Sequence, residues 1–460
     1  MTTFLWTMVL LSGIVVAVAL SWDRRKHRSV GDLWVSPFWY FTLLWVLAFP
    51  LRAWLLGSGA IVTQSQRTFD ADELAVALGL AIVVWAAVWT GYARARPSCP
   101  PASEAPPGII WPCILVIALS IAGIAVTPTI MDGSQGAPGH GYFAARMSKG
   151  WLFLIPELPT VALTAAAPLF VGRTLRGFPA LLAAVTVASV VVLAFLLLPY
   201  LSTRRHIALL AMVAIMTVAL GAPRRWKLAA VAVLGTILGT PLLDIARTFA
   251  GYAVGKSLAD AAVLTLVNFV TGAERMAYQF SSTFEGVDHM ARLWQVATPS
   301  MLLTGIDHGT SWLFNAGLSL LPRAVWPSKP VSNGNIAQQE FLYPELFQSH
   351  VPQVAQPPGL VVDYLFGFGL PGALVLALMT GWLLKRLGTL LVDPTAPAAA
   401  RAIALFSFVN MFNLVRGGTG FLNGLVIFLL VTVLMYGPRH VLDGLRAVLP
   451  RTGPQSHQEA

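Results

Sequence analysis

Eleven runs of mainly apolar residues, separated by short polar segments, constrain this chain more than any other feature. An α-helix needs about 20 apolar residues to cross the hydrocarbon core of a bilayer, and most of the runs approach that length. They lie near residues 2–22, 37–56, 74–92, 109–128, 151–172, 178–200, 207–221, 228–244, 360–384, 398–415 and 421–437. The sequence therefore predicts an all-α, polytopic transmembrane helix bundle of about eleven spans.

Composition supports a membrane protein and argues against a soluble domain and a nucleic-acid-binding protein. Hydrophobic residues make up 56% of the chain and charged residues 11%, a balance outside the range of soluble domains. The net charge of +10 comes from short basic clusters between the apolar runs, which loop orientation explains better than nucleic-acid binding. The two cysteines, Cys99 and Cys113, exclude a disulfide framework for the long polar segment.

The chain divides into four parts. Residues 1–244 form an N-terminal transmembrane bundle of about eight spans, and residues 245–358 form the one long hydrophilic segment. Residues 359–437 supply the C-terminal spans, and residues 438–460 form a cytoplasmic tail. Thr310–Leu321 is too short to span, and its serines recur on one helical face, so we expect short interfacial helices within the long segment.

Basic residues indicate how the bundle is oriented. No basic residue precedes the first apolar run, whereas Arg24, Arg25 and Lys26 follow it, the reverse of a cleavable signal peptide. We therefore expect a retained first helix with its N-terminus outside. In that orientation most basic residues of the short loops lie inside, as is usual. Residues 245–358 would then form a large periplasmic or extracytoplasmic loop.

Arginines at outward ends of spans run against this bias. Arg204 and Arg205 open the seventh run, and Arg247 follows the eighth. A planar guanidinium that is always protonated suits bidentate capture of phosphate or pyrophosphate oxygens. The alternative is that these side chains reach lipid phosphates or pair with nearby carboxylates.

Three residues are candidates for proton transfer. His289 follows Asp288 and His308 follows Asp307, so each imidazole could act as a general base; surface or capping roles are the alternatives. Glu157 lies between two prolines within an apolar run, where it could act as a base, position an arginine or satisfy freed backbone groups. The long segment has no metal-ligand spacing, so we expect metal-independent chemistry without a cofactor.

Three motifs together resemble a known family. They are Ser202–Arg205, the run Leu-Pro-Arg-Ala-Val-Trp-Pro-Ser-Lys-Pro at Leu321–Pro330, and the glycine-rich Asp363–Gly372. In this order they resemble the oligosaccharide repeat-unit polymerases (Wzy-type O-antigen polymerases), which are related to O-antigen ligases. In that family an acidic residue, usually Glu, opens the glycine-rich span, whereas this chain has Asp363 there.

The resemblance implies a bacterial inner-membrane enzyme of surface polysaccharide biosynthesis. Its donor would be an undecaprenyl-pyrophosphate-linked glycan, and its acceptor the terminal sugar hydroxyl of a second lipid-linked repeat unit. Arg204 or Arg205 and Arg323, with Lys329 nearby, would contact the pyrophosphate. Membrane lipids, a chain-length regulator and a flippase would be its partners.

Two other functions remain open at this point. A ligase would use the same donor with a different acceptor, and the residues hardly separate the two. A transporter or flippase for the same lipids should carry charged residues near the bilayer midplane and an inverted repeat. Here Glu157 is the carboxylate well inside an apolar run, which favours glycosyl transfer.

Overall fold

A computed structural model describes most of the chain outside several connecting segments. The described residues are 2–26, 30–61, 69–95, 108–131, 155–171, 176–197, 204–221, 226–235, 257, 259–260, 263–264, 266–267, 285–316, 326, 334–347, 359–418 and 420–448. Across these residues the regular structure is helical, with no strand.

Eighteen helices follow one another along the described chain. In the N-terminal half they are α1 (Thr3–Lys26), α2 (Pro37–Val46), α3 (Arg52–Gly57), α4 (Ala71–Arg94), α5 (Ile110–Met131), α6 (Leu158–Ala166), α7 (Phe178–Leu197), α8 (Arg204–Gly221) and α9 (Trp226–Gly235). Then come α10 (Gly286–Val296), α11 (Pro299–Thr304), α12 (Thr310–Ala316), α13 (Gly334–Leu342), α14 (Leu360–Val392), α15 (Ala398–Val409), α16 (Met411–Gly417), α17 (Gly420–Tyr436) and α18 (Pro438–Val448). Short 3₁₀ segments occur at Val30–Val35, Ala167–Leu169 and Pro344–Phe347, and a π-helical turn at Leu47–Leu51 joins α2 to α3.

Each of the eleven apolar runs overlaps an apolar helix within the described residues, so the helical character of the prediction is confirmed. Within the described ranges, four helices are long and apolar enough to cross a membrane: Thr3–Arg25, Pro37–Gly57, Ala71–Arg94 and Leu360–Val392. Seven shorter apolar helices match the other runs. The number of spans, the sidedness of the chain and the four-part division stay predictions.

Helices α4 and α14 form a central pair whose backbones approach each other closely. A methyl group on Gly91 would overlap the carbonyl oxygen of Leu378, and one on Gly381 would overlap that of Val88. Small residues at a crossing allow this approach, which is typical of helix packing in membranes. Because α10 packs on both helices, this pair supports the polar segment described below.

Helix α14 has a kink near its N-terminal end. Gly369 has φ 62° and ψ −176°, a conformation that favours glycine, and Pro371 follows within the same helix. The carbonyl oxygen of Phe366, next to the kink, accepts hydrogen bonds from the backbone N–H groups of Ile306 (2.6 Å) and Asp307 (3.3 Å). The chain after α11 is thereby tied to the kinked part of α14, where irregular backbone needs such partners.

The hydrophilic segment docks into the bundle through α10. Val287, Met290, Ala291 and Leu293 are buried on this helix, which contacts α4, α14 and the π-helical turn. The sequence predicts that residues 245–358 form a loop outside the spans, and α10, which belongs to that segment, packs among the apolar helices. A polar segment with one apolar helical face can therefore hold buried polar groups at the edge of the bundle.

Helix α12 directs Ser311 inward. Ser311 is buried and bonds through its hydroxyl and its N–H group to the carboxylate of Asp307, whereas Leu313 is 70% exposed. An exposed leucine on a short helix with an inward serine suits contact with lipid. The interfacial position of α12 stays a prediction.

Candidate functional site

Arg52 forms the centre of a buried charged cluster. It is the first residue of α3 and lies directly after the π-helical turn that contains Pro50. Pro50 has no N–H group to donate to the hydrogen-bond ladder of the helix, and the ladder is wider here than in an α-helix. Such π-helical turns are frequent at functional sites. Arg52 is 1% exposed, although arginine is rarely buried without a partner.

Two carboxylates from the hydrophilic segment meet this guanidinium. Asp288 accepts from Arg52 Nε at 2.7 Å and from Nη2 at 2.7 Å, and Glu285 Oε1 lies 3.3 Å from Nη2. The two acids are three residues apart, so they lie on one face at the start of α10. Burial raises the pKa of Asp288, and the hydrogen bonds and positive charge of Arg52 oppose that rise. The bidentate geometry fixes α10 relative to the end of the second apolar run.

His289 lies beside this pair and is held by a tyrosine. Its Nδ1 is 2.9 Å from the hydroxyl of Tyr343, and its Nε2 is 4.0 Å from Glu285 Oε2. Burial, together with the positive charges of Arg52 and Arg416, lowers the pKa of His289 to about 3. The imidazole is therefore neutral at pH 7 and has a low affinity for a proton.

The segment after α13 is attached to α10 through Arg292. Its Nε donates to the carbonyl oxygen of Leu342 at 2.6 Å, its Nη2 lies 3.9 Å from Glu345, and the guanidinium sits 6.0 Å from the Tyr343 ring centre. These contacts position Tyr343 against His289. The cluster is thus assembled from segments that are far apart in the sequence.

Asp363 and Arg416 bring the C-terminal helices to the same end of the bundle. Asp363 is fully buried in the first turn of α14, where the helix dipole favours a carboxylate. A methyl group on Gly418 would overlap this carboxyl group, so the end of α16 lies directly against it. Arg416, two residues before Gly418, is close enough for its charge to act on His289. The charges of Arg52 in α3 and Arg416 in α16 therefore act on one histidine, whose Nε2 lies 4.0 Å from Glu285 Oε2.

This arrangement has a definite chemical character. Ionisable groups buried in a membrane bundle are costly and usually mark a substrate or ion pathway. Arg52 is already engaged by two carboxylates, so its main effect is to fix geometry, and its charge adds to the burial that keeps His289 neutral. Within the described residues, no group of three His, Cys, Asp or Glu side chains has the geometry to hold a metal ion.

The predicted site residues lie in separate parts of the structure. His289 belongs to the charged cluster around Arg52. His308 is exposed in the turn between α11 and α12, with φ 51°. Glu157 is half-buried directly before α6, not several residues inside a helix. Arg204 and Arg205 begin α8.

The rest of the predicted pyrophosphate site is not described. The side chains of Arg204 and Arg205 lie outside the described part of the chain, and so do Arg247, Arg323 and Lys329 altogether. Their grouping into one site remains a prediction. The roles of His308 and Glu157 also remain predictions.

Sequence reasoning missed Arg52 and Tyr343 as members of the site. A weak signal for Arg52 was present, because an arginine two residues after a proline interrupts an apolar run of span length. No comparable signal marked Tyr343, whose hydroxyl meets a histidine 54 positions away.

Comparison with protein-family models, with curated proteins and with solved structures finds no match for this chain.

Proposed function

We propose that this protein polymerises undecaprenyl-pyrophosphate-linked oligosaccharide repeat units at the outer face of the bacterial cytoplasmic membrane. The observation that carries the proposal is the docking of the hydrophilic segment into an apolar bundle through the buried Arg52–Asp288 pair beside His289. A polyprenyl substrate stays in the bilayer, so an enzyme for it needs polar groups between or at the ends of its helices. Glycan polymerisation is proposed as the specific reaction because the motifs at residues 202–205, 321–330 and 363–372 resemble those of the oligosaccharide repeat-unit polymerases.

The reaction is a transfer of a glycan from one lipid carrier to another. The acceptor hydroxyl oxygen attacks the anomeric carbon of the donor glycan, and the bond between that carbon and the pyrophosphate oxygen breaks. The hydroxyl proton leaves to a base, and undecaprenyl pyrophosphate departs with the bonding electron pair. Cations at Arg204, Arg205, Arg247, Arg323 and Lys329 would stabilise the charge that develops on the pyrophosphate.

His289 is assigned a hydrogen-bonding role in this scheme. A group with a pKa of about 3 is a weak base at neutral pH, since catalytic bases work best near the operating pH. His308 and Glu157 remain the candidates for proton removal. Buried and held by Tyr343, His289 is suited to orienting a substrate group or a neighbouring side chain.

Deletion of the gene in its host, followed by glycan analysis, tests the proposal. A polymerase predicts surface glycan reduced to one repeat unit. Complete polymer retained on undecaprenyl would instead identify a ligase, and repeat units held on the inner leaflet would identify a flippase. Polymer of normal length would rule out all three.

Point variants then test the pyrophosphate site in the complemented deletion strain. Arg323→Ala and Arg205→Ala should each stop elongation while the amount of protein in the membrane is unchanged. Arg446→Ala, on the exposed face of α18, is a control that should restore polymer of normal length. Normal polymer in both site variants would remove these arginines from the site.

A further inference from the structure

One face of helix α18 is packed tightly on the bundle. Val441, Gly444 and Val448 are buried, and their spacing places them on the same side of the helix. A methyl group on Gly444 would lie 3.0 Å from the backbone nitrogen of Ala400 and 3.2 Å from Cβ of Ala399. The buried face of α18 therefore rests on the first turn of α15.

Helix α18 lies across the ends of three other helices. It follows α17 directly, because Gly437, with φ 84°, donates to the carbonyl oxygen of Val433 at 2.8 Å and ends that helix. At the other end of α18, the carbonyl oxygen of Val448 accepts from Arg386, in the last two turns of α14, at 2.9 Å. Contacts with the end of α14, the start of α15 and the end of α17 indicate that α18 crosses the end of the bundle and does not add a span.

The outward side of α18 has two flanks of different character. Leu442 and Leu445 lie one turn apart on one flank, whereas His440 and Asp443 lie one turn apart on the other. Leu442 is 53% exposed and the side chain of Asp443 is 49% exposed. The exposed Arg439 lies between the two flanks. A helix with an apolar flank, a polar flank and a basic residue between them suits the membrane–water interface.

A tryptophan at the same end of the bundle indicates the level of that interface. Trp111, in the first turn of α5, is 54% exposed, and its Nε1 donates to the carbonyl oxygen of Leu434 at 3.0 Å. Leu434 lies in the last turn of α17 and is 64% exposed. Tryptophan is enriched where hydrocarbon meets water, because its ring is apolar and its N–H group is polar. The interface then lies about one turn from the start of α18.

The charge of Arg439 is available to a ligand. Arg446, on the same helix, forms an ion pair with Asp443 at 3.3 Å. Arg439 makes no such contact with any residue that the structure describes. Arginine side chains at a membrane surface extend to lipid phosphates, which a guanidinium can bind through two N–H groups. A lipid with a net negative charge is favoured over a zwitterionic one at such a position.

We propose that α18 lies in the plane of the membrane–water interface, with Leu442 among the acyl chains and Arg439 on the phosphate of an anionic phospholipid. The predicted cytoplasmic tail, residues 438–460, then begins with a membrane-bound helix. Through its contacts with α14, α15 and α17, this helix ties the ends of three helices to the lipid headgroups. The inference does not rest on the proposed function.

Nitroxide labels at two neighbouring positions of the full-length protein in liposomes test this placement. Leu442→Cys and Asp443→Cys form a matched pair, because the two native side chains are adjacent and similarly exposed. Cys113 is 0% exposed and should not react with the label, and Cys99→Ser removes the other native thiol. The label that replaces Leu442 should collide mainly with oxygen, which concentrates in the bilayer. The label that replaces Asp443 should collide mainly with a water-soluble nickel chelate.

Cross-linking to lipids tests the role of Arg439. The protein is reconstituted with equal amounts of photoactivatable phosphatidylglycerol and phosphatidylcholine, and the lipid adducts on the peptide that contains α18 are quantified. The wild type should prefer phosphatidylglycerol. Arg439→Gln should lower that preference about fivefold, because a basic residue near an anionic surface contributes about 1 kcal/mol. Arg25→Gln, which removes the same charge from the exposed end of α1, is the control and should keep the preference.

Other outcomes would overturn the inference. Equal access of the nickel chelate to both labels would show that α18 lies in water. A label in place of Leu442 that neither reagent reaches would show that a protein covers this flank. Equal cross-linking of the two lipids to the wild type, or an unchanged preference in Arg439→Gln, would remove the contact between Arg439 and an anionic phosphate.

Discussion

Replacing Arg52 by methionine should destabilise the protein more than any change at an exposed ion pair. The substitution leaves Asp288 and Glu285 buried, with side chains 4% and 5% exposed, without the guanidinium between them. Two unit charges about 4 Å apart interact by about 4 kcal/mol at an effective dielectric constant of about 20. Removing one partner of a buried pair costs about 3–5 kcal/mol in comparable cases. We therefore expect the free energy of unfolding to fall by about 4 kcal/mol.

Chemical denaturation of the protein in detergent micelles measures this loss. The 15 tryptophans provide the fluorescence signal. Arg446→Met is the matched control: Arg446 and Asp443 are 3.3 Å apart, but their side chains are 78% and 49% exposed. Screening by water limits such exposed pairs to about 0–1 kcal/mol, so the control should unfold nearly as the wild type does.

The pH dependence of the defect tests its cause. Without Arg52, the pKa values of the two carboxyl groups in the folded variant rise above their values in the unfolded chain, because burial disfavours the charged form. Protonation then stabilises the fold, so the deficit of Arg52→Met should shrink as the pH falls from 8 to 5. Adding Asp288→Asn should recover part of the loss at pH 8. A deficit no larger than that of Arg446→Met, or one that does not change with pH, would refute the electrostatic reasoning.

Three further predictions concern the histidine, the helix crossing and the kink. Because the folded-state pKa of His289 is about 3, below an unfolded value of about 6.5, its stabilisation is present above pH 6.5 and is lost as the pH falls toward 3. The stability difference between wild type and His289→Gln should therefore shift by about 1.4 kcal/mol from pH 7.5 to 5.5; equal pH dependence would contradict the assignment. Gly91→Ala should lower the melting temperature by forcing α4 and α14 apart. Gly79→Ala on the same helix is the control, because its added methyl group would lie 4.0 Å from the nearest atom; it should raise the free energy of unfolding by about 0.5–1 kcal/mol. Gly369→Ala should cost about 1–2 kcal/mol from its φ of 62° alone, and unchanged melting would show that the kink tolerates a side chain.

The helices of the bundle were predictable because hydrophobicity is a local property. Each apolar run overlaps an apolar helix, but the ends of the helices depend on packing. The run that begins at residue 360 was predicted to end at 384, before two basic residues, yet α14 continues to Val392. Arg386 is accommodated inside the helix because it donates to the carbonyl oxygen of Val448 at 2.9 Å and lies over the ring of Trp382. That partner belongs to α18 and is 62 positions away.

The candidate site was predictable only in part for the same reason. His289 stood out because it follows an aspartate in a polar segment. The sequence does not reveal the role of that aspartate, because Asp288 binds Arg52, 236 positions earlier. Neighbours in sequence thus did not act as a pair: Asp288 holds the helix, while His289 binds Tyr343. The sequence alone offered no means of choosing between these partners.

The way in which the hydrophilic segment is attached decides which variants can separate folding from function. Arg52 with Asp288, and Arg292 with Leu342, tie this segment to the bundle or to itself, and the same contacts set the position of His289. Loss of activity on changing any of these groups would therefore follow equally from loss of structure. Assays of such variants therefore need a measurement of folding beside the measurement of activity. His289→Gln leaves both of these ties in place, so loss of activity at a melting temperature close to that of the wild type would assign a functional role to the imidazole.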